Sequence, residues 1–359
     1  MITSIVVNYR CAELTSRAVG SLLRDMPEAH VIVVDNSEEA TETALLHARL
    51  PYPKVQLLVS PRNIGFGAAC NLGMQASSSA YVMLLNPDAS VVPGCLSVLS
   101  ACLDSDAQLG AVSPMQWWDP GGHWLLPPAW LPTGPGMWAI EAAWRCPRRA
   151  WNLSMAYRRL AIQTWTGRAG CVHQRALSGG AVMVRRAAIL PCAGLFDPAF
   201  FMYYEDSDLS LRLRQSGWML GLAPRAAAVH EWENTPGKSA LMEKSKEIYL
   251  DKHFEHGEWR NRLNACADAQ PALSNPLNAQ RLEPGTLAME VPARWQAQWL
   301  LEVSPSPLMV PAIGRWGCGP SAELPPHLMR RFGVGPVYVR LGSVDRVEEK
   351  TLGHWVWNA

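Results

Sequence analysis

Over the first third of the chain, short apolar runs alternate with amphipathic stretches. Residues 2–8, IleThrSerIleValValAsn, form a β-branched run of the kind buried on both faces of a sheet. Residues 13–25 bring Leu14, Ala18 and Leu22 to one side and predict a helix. Further strands are predicted at 31–35, 55–59 and 81–85, with another helix at 68–74. Strand–helix–strand units at this spacing imply right-handed crossovers and a mostly parallel sheet flanked by helices, an α/β fold. Ligands bind such sheets beyond the carboxyl ends of the strands. The polar residues expected there are Asn8, Asp35, Asn36, Asn63 and Asp88.

The pattern changes further along. From Ala265 to Pro292 the chain is polar and punctuated by prolines, and reads as a linker. Beyond it, 295–303, 336–341 and 354–357 alternate like strands. The expected division is therefore a main domain over 1–260, a linker over 261–292 and a small β-rich domain over 293–359. The last is below the size at which a lone core is comfortable, so it should pack on the main domain or on a second subunit, which leaves a homodimer open.

Composition narrows the function classes. A formal charge of +1 over 359 residues gives no broad basic surface for nucleic acid. Nine cysteines without a CxxC argue against zinc ribbons and redox pairs and fit a reducing cytoplasm. Met1 runs straight into IleThrSerIleValVal without the charged and apolar regions of a signal peptide, and no stretch has the length to span a bilayer.

Candidate chemistry concentrates in 177–232. Glu205, Asp206 and Asp208 follow the aromatic string PhePheMetTyrTyr, where burying charge is costly unless a base or a metal site requires it. The same acids suit the N-terminus of the helix that LeuSerLeuArgLeuArg begins. Asp35-Asn36-Ser37 and Asn86-Pro87-Asp88 each read alone as an ordinary turn. Two acidic turns at neighbouring strand ends suggest more: Asp88 stands where a carboxylate could meet a cation bridging a diphosphate. The loose GxGxx pattern at 65–69 is a poor dinucleotide fingerprint, because Cys70 replaces a small residue, but its glycines let backbone approach a nucleotide.

Seven segments in order resemble glycosyltransferase family 2, in its rhamnosyltransferase-like branch. They are IleValValAsnTyr (5–9), ValValAspAsnSer (33–37), AsnIleGlyPheGlyAlaAlaCysAsn (63–71), LeuLeuAsnProAspAla (84–89), LeuSerGlyGlyAlaValMetValArgArg (177–186), the run 194–212 around TyrTyrGluAspSerAspLeu, and AlaAlaValHisGlu (227–231). The resemblance covers roughly 1–255 with a gap in the middle. It implies a GT-A fold, a nucleoside-diphosphate sugar donor, a divalent metal (Mn2+ or Mg2+) and inversion at the anomeric carbon. On it, Asp206 matches the general base and Glu205 orients the acceptor or the base. Asp35 matches the acid that holds the nucleotide base. Asn8, Tyr9, Asn63, Gly65, Gly179 and Gly180 match donor-pocket positions. Asp88 stands last in the metal-binding element, whose first position is Asn86 here, and His230 matches a further metal ligand.

Outside the resemblance, 115–170 holds eight of the 16 tryptophans together with Arg145, Arg148, Arg149, Arg158 and Arg159. This insertion reads as a buried lid, as aromatic faces for sugar stacking, or as a peripheral membrane contact on the inner face of the cell membrane. The expected function is transfer of a hexose, rhamnose by the resemblance, to a saccharide or lipid-linked acceptor in surface polysaccharide synthesis. The competing expectation is a catalytically silent sugar-nucleotide-binding or scaffold protein of the same fold.

Overall fold

The structure, a computed structural model, describes residues 2–51, 53–168, 170–190, 194–234, 237–254, 257–269, 271–344 and 353–357. The chain opens with β1 (Ile2–Asn8), α1 (Ala12–Asp25), β2 (His30–Asp35), α2 (Ala40–Arg49) and β3 (Val55–Val59). Next come α3 (Phe66–Gln75), β4 (Tyr81–Leu85), β5 (Ala89–Val91), α4 (Cys95–Ser105) and β6 (Leu109–Trp117). The insertion supplies β7 (Trp124–Leu125), α5 (Gly134–Ala143) and α6 (Pro147–Thr166). It is followed by β8 (Val172–Gln174), β9 (Ala181–Arg185), α7 (Arg186–Ile189), α8 (Glu205–Gln215) and β10 (Met219–His230). The last part holds α9 (Lys238–Phe254), α10 (Glu258–Ala269), β11 (Gln280–Arg281), β12 (Ala288–Glu290) and β13 (Trp299–Ser304). It ends with β14 (Ile313–Gly317), β15 (Ser321–Glu323), α11 (Pro326–Met329), β16 (Val337–Ser343) and β17 (Gly353–Trp357).

Strands β3, β2, β1 and β4 lie side by side in parallel, as the spacing predicts. Their apolar runs face a core on each side. Val6, Val31, Val33 and Met83 pack with Leu22 of α1 and Leu96 and Leu99 of α4. The alternate residues Ile5, Val7, Ile32, Val34 and Leu84 pack with Ala69, Cys70 and Met74 of α3 and Leu209 and Leu213 of α8. Strand β9 then enters antiparallel between β4 and β6, so the sheet as a whole is mixed. This reversal brings the start of β9 to the carboxyl end of β4, with Ala181 opposite Leu85.

The C-terminal strands extend the same sheet. β7 pairs β6 on one side and β14 on the other, and β13, β16, β17 and β11 continue outward. The stretch expected to be a linker differs from that expectation at its start, which lies within α10. Its Leu263 packs against Met137 of α5 and Leu250 of α9, an apolar contact that a mostly polar segment conceals. Residues 345–352 and 358–359 of the expected C-terminal domain lie outside the described residues.

Three tryptophans of the insertion, Trp118, Trp124 and Trp165, are buried and the other five are partly buried. Trp118 and Trp124 are fully buried among Met155, Trp299, Val339 and Phe332, and none of the eight is exposed. A buried charge cluster fixes the same contact. Glu302 of β13 accepts from Arg158 Nε of α6 at 2.8 Å and from Arg340 Nε and Nη2 of β16 at 2.7 and 2.5 Å. Arg340 also donates to Ser154 Oγ of α6 at 2.7 Å, and Arg158 to the Ser343 carbonyl at 2.9 Å. One carboxylate thus serves two guanidinium groups out of reach of water.

Candidate functional site

Two clusters line the carboxyl ends of the strands. In the first, Asn8 and Asp35 stand opposite each other at the ends of β1 and β2. Asn8 Nδ2 lies between Asp35 Oδ1 (3.2 Å), Ser37 Oγ (3.0 Å) and Glu42 Oε1 (3.2 Å), and Thr15 Oγ donates to Asn8 Oδ1 at 2.7 Å. Asp35 also accepts from the Ser37 N–H at 3.2 Å and from Thr43 Oγ at 2.5 Å. It is only 1% exposed, so these residues form a rigid floor, whereas Tyr9, 43% exposed, stands in the open beside it.

Asn36 joins this floor to the next loop. Its side chain donates to Asn63 Oδ1 at 2.8 Å and accepts the Ile64 N–H at 2.9 Å, while Asn63 Oδ1 also accepts the Gly65 N–H at 3.0 Å. Gly65 has φ of +84°, and a Cβ there would run into the Phe201 carbonyl and ring. Its glycine is therefore required for close approach to the 196–204 loop. Phe66 N–H donates to that carbonyl at 2.9 Å, and Asn71 grips both the N–H and the carbonyl of Phe196. The AsnIleGlyPheGly segment is the clamp on the loop that carries Glu205 and Asp206.

That loop ends on two consecutive left-handed tyrosines, Tyr203 (φ 70°) and Tyr204 (φ 67°), an uncommon conformation for bulky residues. It delivers three acids to the first turn of α8, and the structure separates their roles. Asp208 is buried and bonded to Arg212 Nε (2.7 Å), His253 Nε2 (2.9 Å) and Lys252 Nζ (2.7 Å). Burial would raise its pKa, but these three partners outweigh burial and hold it at about 2. Asp208 is an anchor for α9. Glu205 is buried with Oε2 lacking any partner, and burial followed by the charge of Asp206 pushes it up to about 8. Asp206 keeps some exposure; its Oδ2 accepts the Gly179 N–H at 3.1 Å and its Oδ1 the Ser207 N–H at 2.7 Å. Burial raises Asp206 also.

The second cluster forms around His230. Pairing of β5 with β10 sets Ala89 opposite His230, so Asp88 meets the ring. Gly180, whose carbonyl accepts the Asn86 N–H at 2.9 Å, passes directly against the imidazole, and a Cβ there would overlap it. Gly179 and Gly180 thus connect Asp206 to His230. Asn63 and Gly65 belong to the other cluster and make no bond to this one.

A relay fixes the state of His230. Ser113 Oγ donates to the Ala181 carbonyl (2.9 Å) and accepts from Gln116 Nε2 (3.3 Å). Gln116 Oε1 is then turned towards His230 Nδ1 at 3.2 Å, so Nδ1 carries the proton. His230 Nε2 faces Asp88 Oδ1 at 3.3 Å without hydrogen-bond alignment. A lone pair and a carboxylate this close need a positive charge between them, either a proton or a metal ion. Burial opposes ionisation of Asp88, but its contact with His230 outweighs burial and keeps the carboxyl below its usual range. Asn86 Oδ1 is buried nearby and unpartnered. Nitrogen and oxygen donors of this kind fit a divalent cation with two protein ligands, although among the described residues no cluster of three or more such side chains is gathered.

Sequence reasoning missed three residues here. Gln116 and Ser113 lie inside a strand that reads as core. Lys238, at the start of α9, places its ammonium 4.2 Å from the Trp232 ring centroid and 5.5 Å from that of Tyr203. Burial lowers Lys238 to about 8, with the charge of Asp88 acting in the other direction.

Comparison with known proteins bears on the family and the fold. The sequence model of the family described as "Glycosyltransferase like family 2" matches residues 2–247. The N-acetylglucosaminyl-diphospho-decaprenol L-rhamnosyltransferase of Mycobacterium tuberculosis is 30% identical over 276 residues, 72% of this chain and 85% of the relative. The succinoglycan biosynthesis protein ExoO of Rhizobium meliloti is 34% identical over 93 residues, 26% of each chain. Among solved structures, GalNAc-T7 with UDP, GalNAc and Mn2+ superimposes with a TM-score of 0.51 at 17% identity, over 74% of this chain and 50% of that one. That likeness concerns the fold. With the family match covering most of the chain, the protein belongs to glycosyltransferase family 2 and is an enzyme of the GT-A fold.

Proposed function

We propose that this glycosyltransferase is an inverting hexosyltransferase, moving rhamnose from a nucleoside-diphosphate donor to a saccharide carried on a lipid diphosphate, in surface polysaccharide synthesis. The observation that carries the site assignment is the pair Gly179 and Gly180, one bonded to Asp206 and the other packed on His230. On this reading Asp206 accepts the proton of the acceptor hydroxyl as its oxygen attacks the anomeric carbon. The bond to the donor diphosphate breaks on the opposite face, which inverts the configuration. A divalent cation, Mn2+ or Mg2+, held by Asp88 and His230 would neutralise the departing diphosphate. Asn8, Asp35, Asn63 and Gly65 shape the nucleotide side and Tyr9 covers it. Glu205, buried and held protonated beside Asp206, on this reading positions the base, which departs from a direct contact with acceptor.

Rhamnose and the lipid carrier are supported by likeness to the Mycobacterium tuberculosis enzyme, whose name gives both. Such an acceptor would bring the protein to the cytoplasmic face of a membrane. Among the described residues no helix is long and apolar enough to cross one, so the contact on this reading is peripheral. Exposed Arg148 and Arg149 would serve it better than the tryptophans, none of which is exposed.

Purified protein supplied with dTDP-rhamnose, UDP-N-acetylglucosamine or GDP-mannose and an N-acetylglucosaminyl-diphosphoprenol acceptor tests the reading. Transfer is expected from dTDP-rhamnose with Mn2+ or Mg2+ and should stop in EDTA. Transfer from a different donor would correct the sugar. Nucleotide binding without transfer or donor hydrolysis would favour the silent scaffold.

A further inference from the structure

Lys238 occupies a position that makes little sense for a lysine without an anion. It opens the 17-residue helix α9, where free N–H groups already present partial positive charge and a second one is unfavourable. Its ammonium is drawn partly out of water over Trp232 and Tyr203. Such rings attract a cation but do not neutralise it. Among the described residues no carboxylate forms an ion pair with it, and Asp88, whose charge it feels, is already engaged with His230. Its neighbours on α9 differ: Lys246 pairs with Glu243, and Lys252 with Asp197 and Asp208.

The rings that Lys238 leans on belong to the two segments that carry the proposed base and the Asp88 and His230 pair. Tyr203, held in the left-handed region, is followed by Tyr204, Glu205 and Asp206, while Trp232 follows His230 by two residues. A half-buried ammonium therefore stands between the segment carrying the base and the segment carrying the Asp88 and His230 pair.

Resting on the functional reading above, we propose that Lys238 binds the sugar-bearing phosphate of the donor diphosphate. During transfer the bond between anomeric carbon and phosphate oxygen breaks, and its electron pair stays on that oxygen. The acceptor oxygen forms the new bond and its proton goes to Asp206. The charge gained by the phosphate is met by the ammonium of Lys238 and by the amino-terminal turn of α9. Partial removal from water makes that interaction stronger than an exposed lysine would provide.

Isothermal titration of wild type, Lys238→Gln, Lys238→Met and Lys238→Arg with dTDP and with dTMP, in the presence of Mn2+, tests this. Lys238→Gln and Lys238→Met are expected to lose roughly 10- to 100-fold in dTDP affinity, the value of a charged hydrogen bond, with dTMP affinity unchanged. Lys238→Arg should retain most of it. Equal dTDP affinity in all four proteins would overturn the assignment, as would the same loss for dTMP and dTDP, which marks a structural role. UDP and GDP, each with its monophosphate, are run in parallel as alternative nucleotides. Wild type that binds none of the diphosphates would instead overturn the functional reading, and the assignment with it. Thermal melts accompany each titration, and Lys238→Met keeps the aliphatic stem on the rings should the amide variant unfold.

Discussion

The backbone of Gly180 lies against the imidazole of His230 so closely that one added methyl would overlap ring atoms, while the same methyl on Gly179 would meet nothing nearer than 3.6 Å. The two glycines are adjacent, yet they are not equivalent. Gly180→Ala should shift His230, cost about 1–3 kcal/mol in stability and weaken metal-supported binding of nucleoside diphosphate. Gly179→Ala should resemble wild type in both. Thermal melts and Mn2+ titrations on the pair decide the point; equal behaviour would mean that His230 has room to move.

Gln116 provides an independent probe of the metal ligand. Gln116→Leu removes the acceptor that keeps the proton on His230 Nδ1. Loss of such an outer partner typically lowers metal affinity 10- to 100-fold, so Mn2+ binding should weaken by about that factor. An unchanged Mn2+ affinity would remove His230 from the ligand set.

Asp206 is tested by its amide. Asp206→Asn keeps the Gly179 contact nearly isosteric but removes the proton acceptor. Transfer should fall by roughly 10²–10⁴, with nucleoside diphosphate affinity within a few-fold of wild type. Retained turnover would transfer the role of base elsewhere.

The adjoining acids also make a pH prediction. Glu205 and Asp206 both have their pKa raised by burial, Glu205 to about 8. In the window from about 4.5 to 8 the folded protein holds protons that the unfolded chain has released, so folding stability falls as pH rises. Melting temperature followed across that window should therefore fall, and Glu205→Gln should flatten the fall in stability. A melting temperature that climbs between pH 5 and 8 would contradict the burial of Glu205.

Glu302 carries the last prediction. Glu302→Ala would leave Arg158 and Arg340 buried without a counter-charge, and breaking a buried pair in this way costs about 3–5 kcal/mol. Chemical denaturation should show the loss, while turnover per folded molecule stays close to wild type. A loss under 1 kcal/mol would imply that water reaches the cluster.

The parallel strands were legible because their signals are local. Runs such as 31–34 are apolar on both faces, and Asp35 ends one strand while Asp88 stands three residues past the end of another. The antiparallel entry of β9 was not legible, since pairing partners leave no mark in a five-residue apolar run. Nor was the junction of the two halves of the sheet, which rests on the two residues of β7. Lys238 stayed hidden because its rings come from other segments, and the Asn63 motif concealed a mechanical role in gripping Phe201 and Phe196 behind a resemblance to nucleotide contacts.

Because Arg158 stands in the insertion while Glu302 and Arg340 stand some 140 or more positions later, the two segments are mutually dependent. A chimera joined near residue 292 would keep Arg158 without Glu302 and Arg340, or keep that pair without Arg158, whichever relative supplied the other half. Exchange of these regions between family members is therefore viable only as a matched set. Truncation at the same point would not free a smaller working enzyme; it would uncover charged groups and indole rings that have no other place to go.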